Sequence, residues 1–228
     1  MDKLDIIIPF KWKGAKSRLS NIMTLEEREE FALKMLYDVL TTLEELHKDE
    51  YSNLQRRFRD INISILTTTN DLPDFIYKRF EIIINTKKLN EALNEIISIK
   101  SSKNNPLLIL MSDLPLINVT VVQEIINRKE DIVITPGRKG GTNILFIKNP
   151  SKFKVDYYGI SFKNHEKIAI DNGLSYHLYD SLLAGTDIDE KEDLLDLLVF
   201  GDGESKKYLE KLGFMAVSKG EKITLMRE

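Results

Sequence analysis

Apolar residues along the chain fall into short blocks that alternate between two periods. Asp5–Ile8, closed by Pro9, is a compact apolar block of strand length, and Ile61–Leu66, Glu81–Ile84, Leu107–Met111 and Asp131–Thr135 read the same way. Between these blocks the spacing becomes helical. In Thr24–Leu46 the apolar residues Phe31, Met35 and Val39 recur at helical intervals. Thr24 followed by Glu27 has the signature of a capping box, so the helix is expected to start there. Leu89–Ile99 and Val119–Ile126 also read as helices. Leu107–Met111 is apolar at every position, which predicts a strand covered on both faces at the centre of a parallel sheet. The alternation of strand and helix predicts an α/β fold, a mostly parallel central sheet flanked by helices.

The later half is less regular. Asn143–Ile147 and Ser175–Tyr179 read as strands, and His165–Asp171 as a helix. A helix is expected over Asp189–Phe200 and another through Leu212. Phe214–Val217 and Lys222–Leu225, around Lys219-Gly220, have the pattern of a hairpin. No repeat, low-complexity stretch or flexible linker divides the chain. Residues 1–228 therefore read as a single domain, with the helix and hairpin of 201–228 as an appendage.

Charge and composition narrow the function classes. Against 36 acidic side chains stand 33 basic ones, a net charge of −3, which argues against nucleic acid or an anionic membrane surface as a partner. With 42% hydrophobic and 30% charged residues the chain has the make-up of a folded globular protein. It has no cysteine, which excludes disulfides, thiolate-bound metals and a cysteine nucleophile. Three histidines, His47, His165 and His177, are too few for a His-rich metal site. The apolar run Ile6–Phe10 is too short for a signal-peptide core, and no run approaches the roughly 20 residues of a membrane span. A cytoplasmic location is the expectation.

In open α/β sheets ligands bind beyond the carboxyl ends of the strands. Three segments occupy such positions. The loop after the first strand, Pro9–Ser20, carries Lys11, Lys13, Lys16 and Arg18 and no acid. It is either a cradle for a polyphosphate or a solvated basic turn; it has neither the Walker A nor the GxGxxG spacing. Ser112-Asp113-Leu114-Pro115 follows the most apolar strand, so Asp113 either holds Mg²⁺ or closes the turn before Pro115. In Gly185-Thr186-Asp187-Ile188-Asp189 two carboxylates at i, i+2 on extended backbone face the same way and need a cation between them. Asp189 is also placed to cap the next helix, with Glu192 completing the box. A fourth segment, Thr135–Asn143 with Gly140-Gly141, is best read as a hairpin turn, although its glycines also permit close approach to an anion.

Together these motifs resemble the GT-A type nucleotidyltransferase fold, and more narrowly the 2-phospho-L-lactate guanylyltransferase family of coenzyme F-420 biosynthesis. The resemblance rests on IPFKWKGAKSRLS (8–20), LNEAL (89–93), SDLPL (112–116), PGRKGGTN (136–143), YYGISF (157–162) and GTDIDEKEDL (185–194), and it spans most of the chain. SDLP occurs in many nucleotidyltransferases; KSRL, GGTN and YGxSF in combination are far more specific. Two departures stand out. The general signature LAAGxGxR is replaced by GAKSRL, with one glycine, so side-chain cations must do more of the phosphate binding. Lys191 stands where many relatives have proline after DIDE.

The resemblance implies condensation of GTP with 2-phospho-L-lactate to lactyl-2-diphospho-5′-guanosine and pyrophosphate; some relatives take phosphoenolpyruvate or 3-phosphoglycerate. It implies Asp113, Asp187 and Asp189 as Mg²⁺ ligands and Lys11, Lys16 and Arg18 as triphosphate contacts, with Lys16, Arg18 and Asp113 catalytic. It further implies Asn90 and Pro115 at the GTP and Thr142, Gly159 and Ser161 at the phospho-acid. A homodimer and hand-off of the product to the next transferase are implied as well. Two rivals stand beside this reading: another transferase of the same fold acting on a nucleotide sugar through Asp187-Ile188-Asp189, and a non-catalytic GTP-binding or scaffold protein.

Overall fold

The computed structural model describes residues 3–46, 57–101, 105–220 and 222–228. His47 lies outside them. The strands are β1 (Lys3–Pro9), β2 (Asp60–Thr67), β3 (Glu81–Ile84), β4 (Leu107–Leu110), β5 (Ile132–Pro136), β6 (Thr142–Ile147), β7 (Tyr176–Leu178), β8 (Phe214–Lys219) and β9 (Lys222–Arg227). The helices are α1 (Leu25–Glu45), α2 (Asp74–Tyr77), α3 (Leu89–Ser101), α4 (Val119–Ile126), α5 (Ser161–Asp171), α6 (Leu182–Gly185), α7 (Asp193–Phe200) and α8 (Glu204–Lys211).

The first seven strands form one sheet in the order β3-β2-β1-β4-β6-β5-β7. Side-chain alternation divides the core into two layers. Ile6, Ile8, Leu108, Leu110, Ile144 and Phe146 face the layer of α1, α4, α7 and α8. Their neighbours Ile7, Leu107, Ile109, Leu145 and Ile147 face α3 and α5. This period-2 switch explains why β4 is apolar throughout: both of its faces are covered by helices. α1 begins as its sequence dictates, with Thr24 accepting from the Glu27 N–H while the Glu27 side chain accepts from the Thr24 N–H.

β4 is central, as expected, but only its β1 side is parallel; β6 lies antiparallel to both β4 and β5. The reason is local. Residues 137–141 close a tight turn, with Gly137 and Gly141 paired through backbone and Gly140 at φ +87°, and so short a connection allows only antiparallel pairing. The Gly-Gly segment is thus the hairpin that composition favoured. Two helices start elsewhere than expected. α5 begins at Ser161, one turn before His165, and α7 begins at Asp193 instead of Asp189.

The strand order reverses direction between β1 and β4. β2 and β3 are added on one side of β1, and the chain then returns through α3 to place β4 on the other. Such a switch point opens a crevice at the carboxyl ends of the two central strands. The C-terminal pair β8–β9 forms a separate antiparallel ribbon. Just ahead of it, α8 is anchored to α1 through a buried carboxylate. Asp38 accepts from the Glu204 N–H (2.7 Å), the Ser205 N–H (2.9 Å) and the Ser205 hydroxyl, and so caps α8 from a distant helix. Arg227 closes the ribbon onto Glu27.

Candidate functional site

The crevice at the switch point is a cleft of about 550 Å³ at the ends of β1, β2, β3 and β4. Its floor is the loop after β1. Gly14 takes φ +65° and Lys16 takes φ +50°, a left-handed conformation that is costly for a residue with a side chain. The strain is held by neighbours on the first turns of α1. Glu29 accepts from the Gly14 N–H (2.9 Å) and from Lys13 Nζ (3.1 Å), and Arg28 donates to the Ala15 carbonyl (2.9 Å). Buried Ala15 and Leu19 anchor the loop from below. Lys16 is thereby turned inward.

Its ammonium lies between two carboxylates, 2.8 Å from Asp113 Oδ2 and 2.6 Å from Asp189 Oδ1, and its side chain is only 9% exposed. Burial disfavours the charged lysine, but Asp113 and Asp189 outweigh it and the net shift is upward. Arg18 donates to the other oxygen of Asp189 at 3.0 Å. Burial also pushes the Asp189 carboxyl up, and again Lys16, with Arg18 and Lys139, reverses the sign, leaving it below the usual carboxylate range. Asp189 is therefore engaged across the cleft and does not cap a helix. α7 follows Glu192 without a side-chain cap, and Asp193, its first residue, instead braces the preceding turn: its Oδ2 accepts from the Asp189 N–H (2.9 Å) and the Glu190 N–H (2.7 Å).

Asp187 is brought alongside by the backbone. The Ile188 N–H donates to the Asp113 carbonyl (3.0 Å), and the Arg138 N–H to the Gly185 carbonyl (3.2 Å), so 185–189 is pinned between two strand ends. Asn143 Nδ2 donates to the Ala184 carbonyl (2.9 Å) and to Asp187 Oδ1 (3.3 Å). Burial, followed by the nearby charges of Asp113 and Asp189, pushes the Asp187 carboxyl up. Gly137 makes this corner possible: a Cβ there would lie 2.5 Å from Asn143 Oδ1 and 3.1 Å from Asp187 Oδ1. Gly137 and Asn143 both lie in the PGRKGGTN segment (136–143), yet the segment does not disclose what they do, because their role is to share space with a residue 44 or more positions away.

The donors here are hard oxygens, which suit a small divalent cation. A half-buried aspartate with a raised pKa beside two others is also what such a cation would relieve. Among the described residues no three acidic or histidine side chains are gathered as a ready cage, and Lys16 stands between Asp113 and Asp189.

The other candidates are distributed as follows. Lys11 lines the same cleft. Pro115 is buried just beyond β4. Asn90 turns to the segment 155–158, donating to Asp156 Oδ1 (2.8 Å) and accepting from the Tyr157 N–H (2.7 Å); Asn94, one turn on, pairs both amide atoms with Val155 in the same way. Thr142 and Ser161 are buried and joined, Ser161 Oγ to Thr142 Oγ1 at 3.0 Å. Thr142 Oγ1 is 2.9 Å from Nδ1 of His165, while His165 Nε2 accepts from the Asp156 N–H at 3.0 Å. A backbone N–H can only donate, so Nε2 is the acceptor and Nδ1 carries the proton. Burial lowers the imidazole to about 4, fixing it neutral. His165 thus positions Thr142 and the 156–161 loop, a role its isolated position in sequence does not disclose. Gly159 is exposed at φ +62° and turns the chain into α5, which starts at Ser161 without a side-chain cap.

Comparison with known proteins agrees with this arrangement. The chain is 42% identical over 215 residues to the 2-phospho-L-lactate guanylyltransferase of Methanosarcina mazei, covering 94% of this chain and 95% of that one. Against the protein of the same name from Methanoregula boonei it is 42% identical over 221 residues, covering 97% and 94%. Among solved structures, one assigned to the nucleotide-diphospho-sugar transferases, from Desulfovibrio desulfuricans G20, superposes with a TM-score of 0.71 at 17% identity over 92% of this chain and 95% of that one. A cytidylyltransferase from Leptospira borgpetersenii gives 0.55 at 14% identity over 93% and 94%. These likenesses establish the nucleotidyltransferase type of fold. The family described as "Guanylyl transferase CofC like" matches residues 4–226, and with the full-length relatives this shows that the chain belongs to that family.

Proposed function

We propose that the protein transfers the guanylyl group of GTP to 2-phospho-L-lactate, forming lactyl-2-diphospho-5′-guanosine and pyrophosphate. The observation that carries this reading is Lys16, held in a strained backbone conformation between Asp113 and Asp189 at the switch point of the sheet. The family's membership and the names of its relatives supply the substrate class.

In this reading an acceptor phosphate oxygen, already anionic at neutral pH, attacks the α-phosphorus. The bond from that phosphorus to the bridging oxygen of the β-phosphate breaks, and pyrophosphate leaves. No general base is needed, in keeping with a neutral, structural His165. The work of the protein is positioning and charge neutralisation. Lys16 and Arg18, with Lys11 at the rim, meet the triphosphate and the charge growing on the leaving group. Asn90 and Pro115 do not line the cleft, so their part in this reading is indirect: Asn90 holds the 155–158 segment that leads to Gly159 and Ser161, and Pro115 directs the chain after Asp113. Thr142, Gly159 and Ser161 receive the phospho-acid. The uncapped first turn of α5, with no acidic residue in it, supports an anion at that end.

Asp113, Asp187 and Asp189 would hold Mg²⁺, which supplies charge screening between the two phosphates. Their oxygen donors and the raised carboxyl of Asp187 fit that role. The same reading includes a homodimer and transfer of the product to the next enzyme, and a reaction in the cytoplasm; no described helix is long and apolar enough to cross a membrane. The test is a pyrophosphate-release assay with GTP and a panel of 2-phospho-L-lactate, phosphoenolpyruvate and 3-phosphoglycerate. Release with GTP and 2-phospho-L-lactate in preference to the others is the expected result. Release with none of the acceptors refutes the reading.

A further inference from the structure

Given guanylyl transfer, the base must lie at the end of the cleft away from Lys16 and Arg18. The cleft runs from the end of β4 past β1 and β2 to β3, three strand spacings of about 4.8 Å each. Cations that suit a triphosphate collect at the β1–β4 end. The β2–β3 end is built from other groups. There Asn85 and Lys87, in the loop after β3, line the cleft together with Ala92 of α3. Asn85 Nδ2 (3.0 Å) and Lys87 Nζ (2.8 Å) both donate to Oε2 of Glu95, three residues beyond Ala92 on the same helix. The loop that presents them is braced. Asn85 accepts from the Lys87 N–H at 3.0 Å, and its own N–H donates to the Thr67 carbonyl at 2.9 Å.

Guanine shows a donor–donor–acceptor edge: N1–H, the 2-amino group and O6. A carboxylate with an ammonium at its side is the complement of that edge. Adenine presents the reverse, an amino group toward the ammonium and a lone pair toward the carboxylate. The Lys87 and Asn85 hydrogen bonds hold the Glu95 carboxyl below its usual range, so it is an acceptor at neutral pH. Both side chains remain about half exposed, so neither is committed to the protein interior. As a surface ion pair they contribute little to stability.

We infer that Glu95 and Lys87, braced by Asn85, read the guanine base, Glu95 accepting from N1–H and the 2-amino group and Lys87 donating to O6. This deepens the guanylyl-transfer reading and rests on it. The adjacent apolar side chains of Leu66 and Leu89 supply surfaces for the faces of the ring.

The test uses binding first and turnover second. GTP, XTP and ATP are titrated calorimetrically in Mg²⁺ buffer against the intact protein, Glu95→Gln and Lys87→Met. Xanthine carries a carbonyl where guanine carries the 2-amino group, so an amide at position 95 should favour it. The expected result is that the wild type prefers GTP, and that Glu95→Gln moves the GTP:XTP affinity ratio toward XTP on the order of 10- to 100-fold. Lys87→Met should weaken GTP and XTP together while leaving ATP unchanged. An unmoved GTP:XTP ratio in Glu95→Gln, or a wild type indifferent to the base, overturns the inference. Pyrophosphate release is then measured on the same proteins. A switch in binding without release from any phospho-acid leaves the base assignment standing and refutes the reaction; release from GTP with an unmoved ratio does the opposite.

Discussion

Replacing His165 by Gln should flatten part of the dependence of stability on pH. The imidazole is fully buried, donates from Nδ1 to Thr142 and accepts at Nε2 from the Asp156 N–H. A second proton would have to sit on Nε2, in place of that acceptor. Burial accordingly lowers the folded pKa from 6.5 to about 4. As pH falls the unfolded chain takes up the proton first, so stability from this group is complete above 6.5 and is lost as pH falls from there toward about 4. The whole span is about 3 kcal/mol, at 1.36 kcal/mol per unit. Between pH 7 and pH 5 the linkage relation assigns about 2 kcal/mol of loss to His165. Gln keeps one donor and one acceptor but cannot titrate. Urea unfolding of both proteins at pH 7 and pH 5 measures the difference of differences, which cancels the carboxylates common to both. The wild type should lose about 2 kcal/mol more than the variant. Equal losses, or an imidazole that titrates near 6.5 in the folded protein by NMR, would refute the tautomer and the burial argument together.

Other perturbations address the remaining parts of the site. Gly137→Ala should push Asn143 and Asp187 apart, lowering turnover well beyond its stability cost of about 1–3 kcal/mol; steady-state kinetics beside thermal melting separates the two. Asp38→Ala leaves the Glu204 and Ser205 donors without an acceptor and should destabilise the protein by about 2 kcal/mol, read by urea unfolding, with KM for GTP unaltered. Lys16→Met should abolish most turnover and, by removing the cation between Asp113 and Asp189, strengthen Mn²⁺ binding in the absence of nucleotide; unchanged metal affinity by calorimetry would contradict the bridging geometry.

The sequence disclosed what depends on local period and local capping. α1 with its Thr24–Glu27 box, α4, β3 and the closing hairpin were readable because their signals lie within a few residues. The antiparallel β6 was not, since pairing direction follows from the shortness of the 137–141 turn and from which neighbour the strand meets. Helix starts failed for a related reason. Asp189 has every local property of a cap, yet Lys16, 173 residues away, attracts its carboxylate more strongly, and Asp193 braces the turn. The cationic loop and the three aspartates were legible as motifs; their meeting in one cleft is a property of strand order. Asn143, Gly137 and His165 act by holding other residues in place. Nothing in their flanking sequence marks that role.

The central claim is that Asp113, paired with Lys16 at the end of β4, serves phosphoryl chemistry rather than folding. Pyrophosphate release from GTP and 2-phospho-L-lactate by Asp113→Ala at saturating Mg²⁺ tests it most directly, with a melting curve on the same sample. The account predicts turnover lower by orders of magnitude in a protein that still folds. Wild-type turnover in that variant would contradict it.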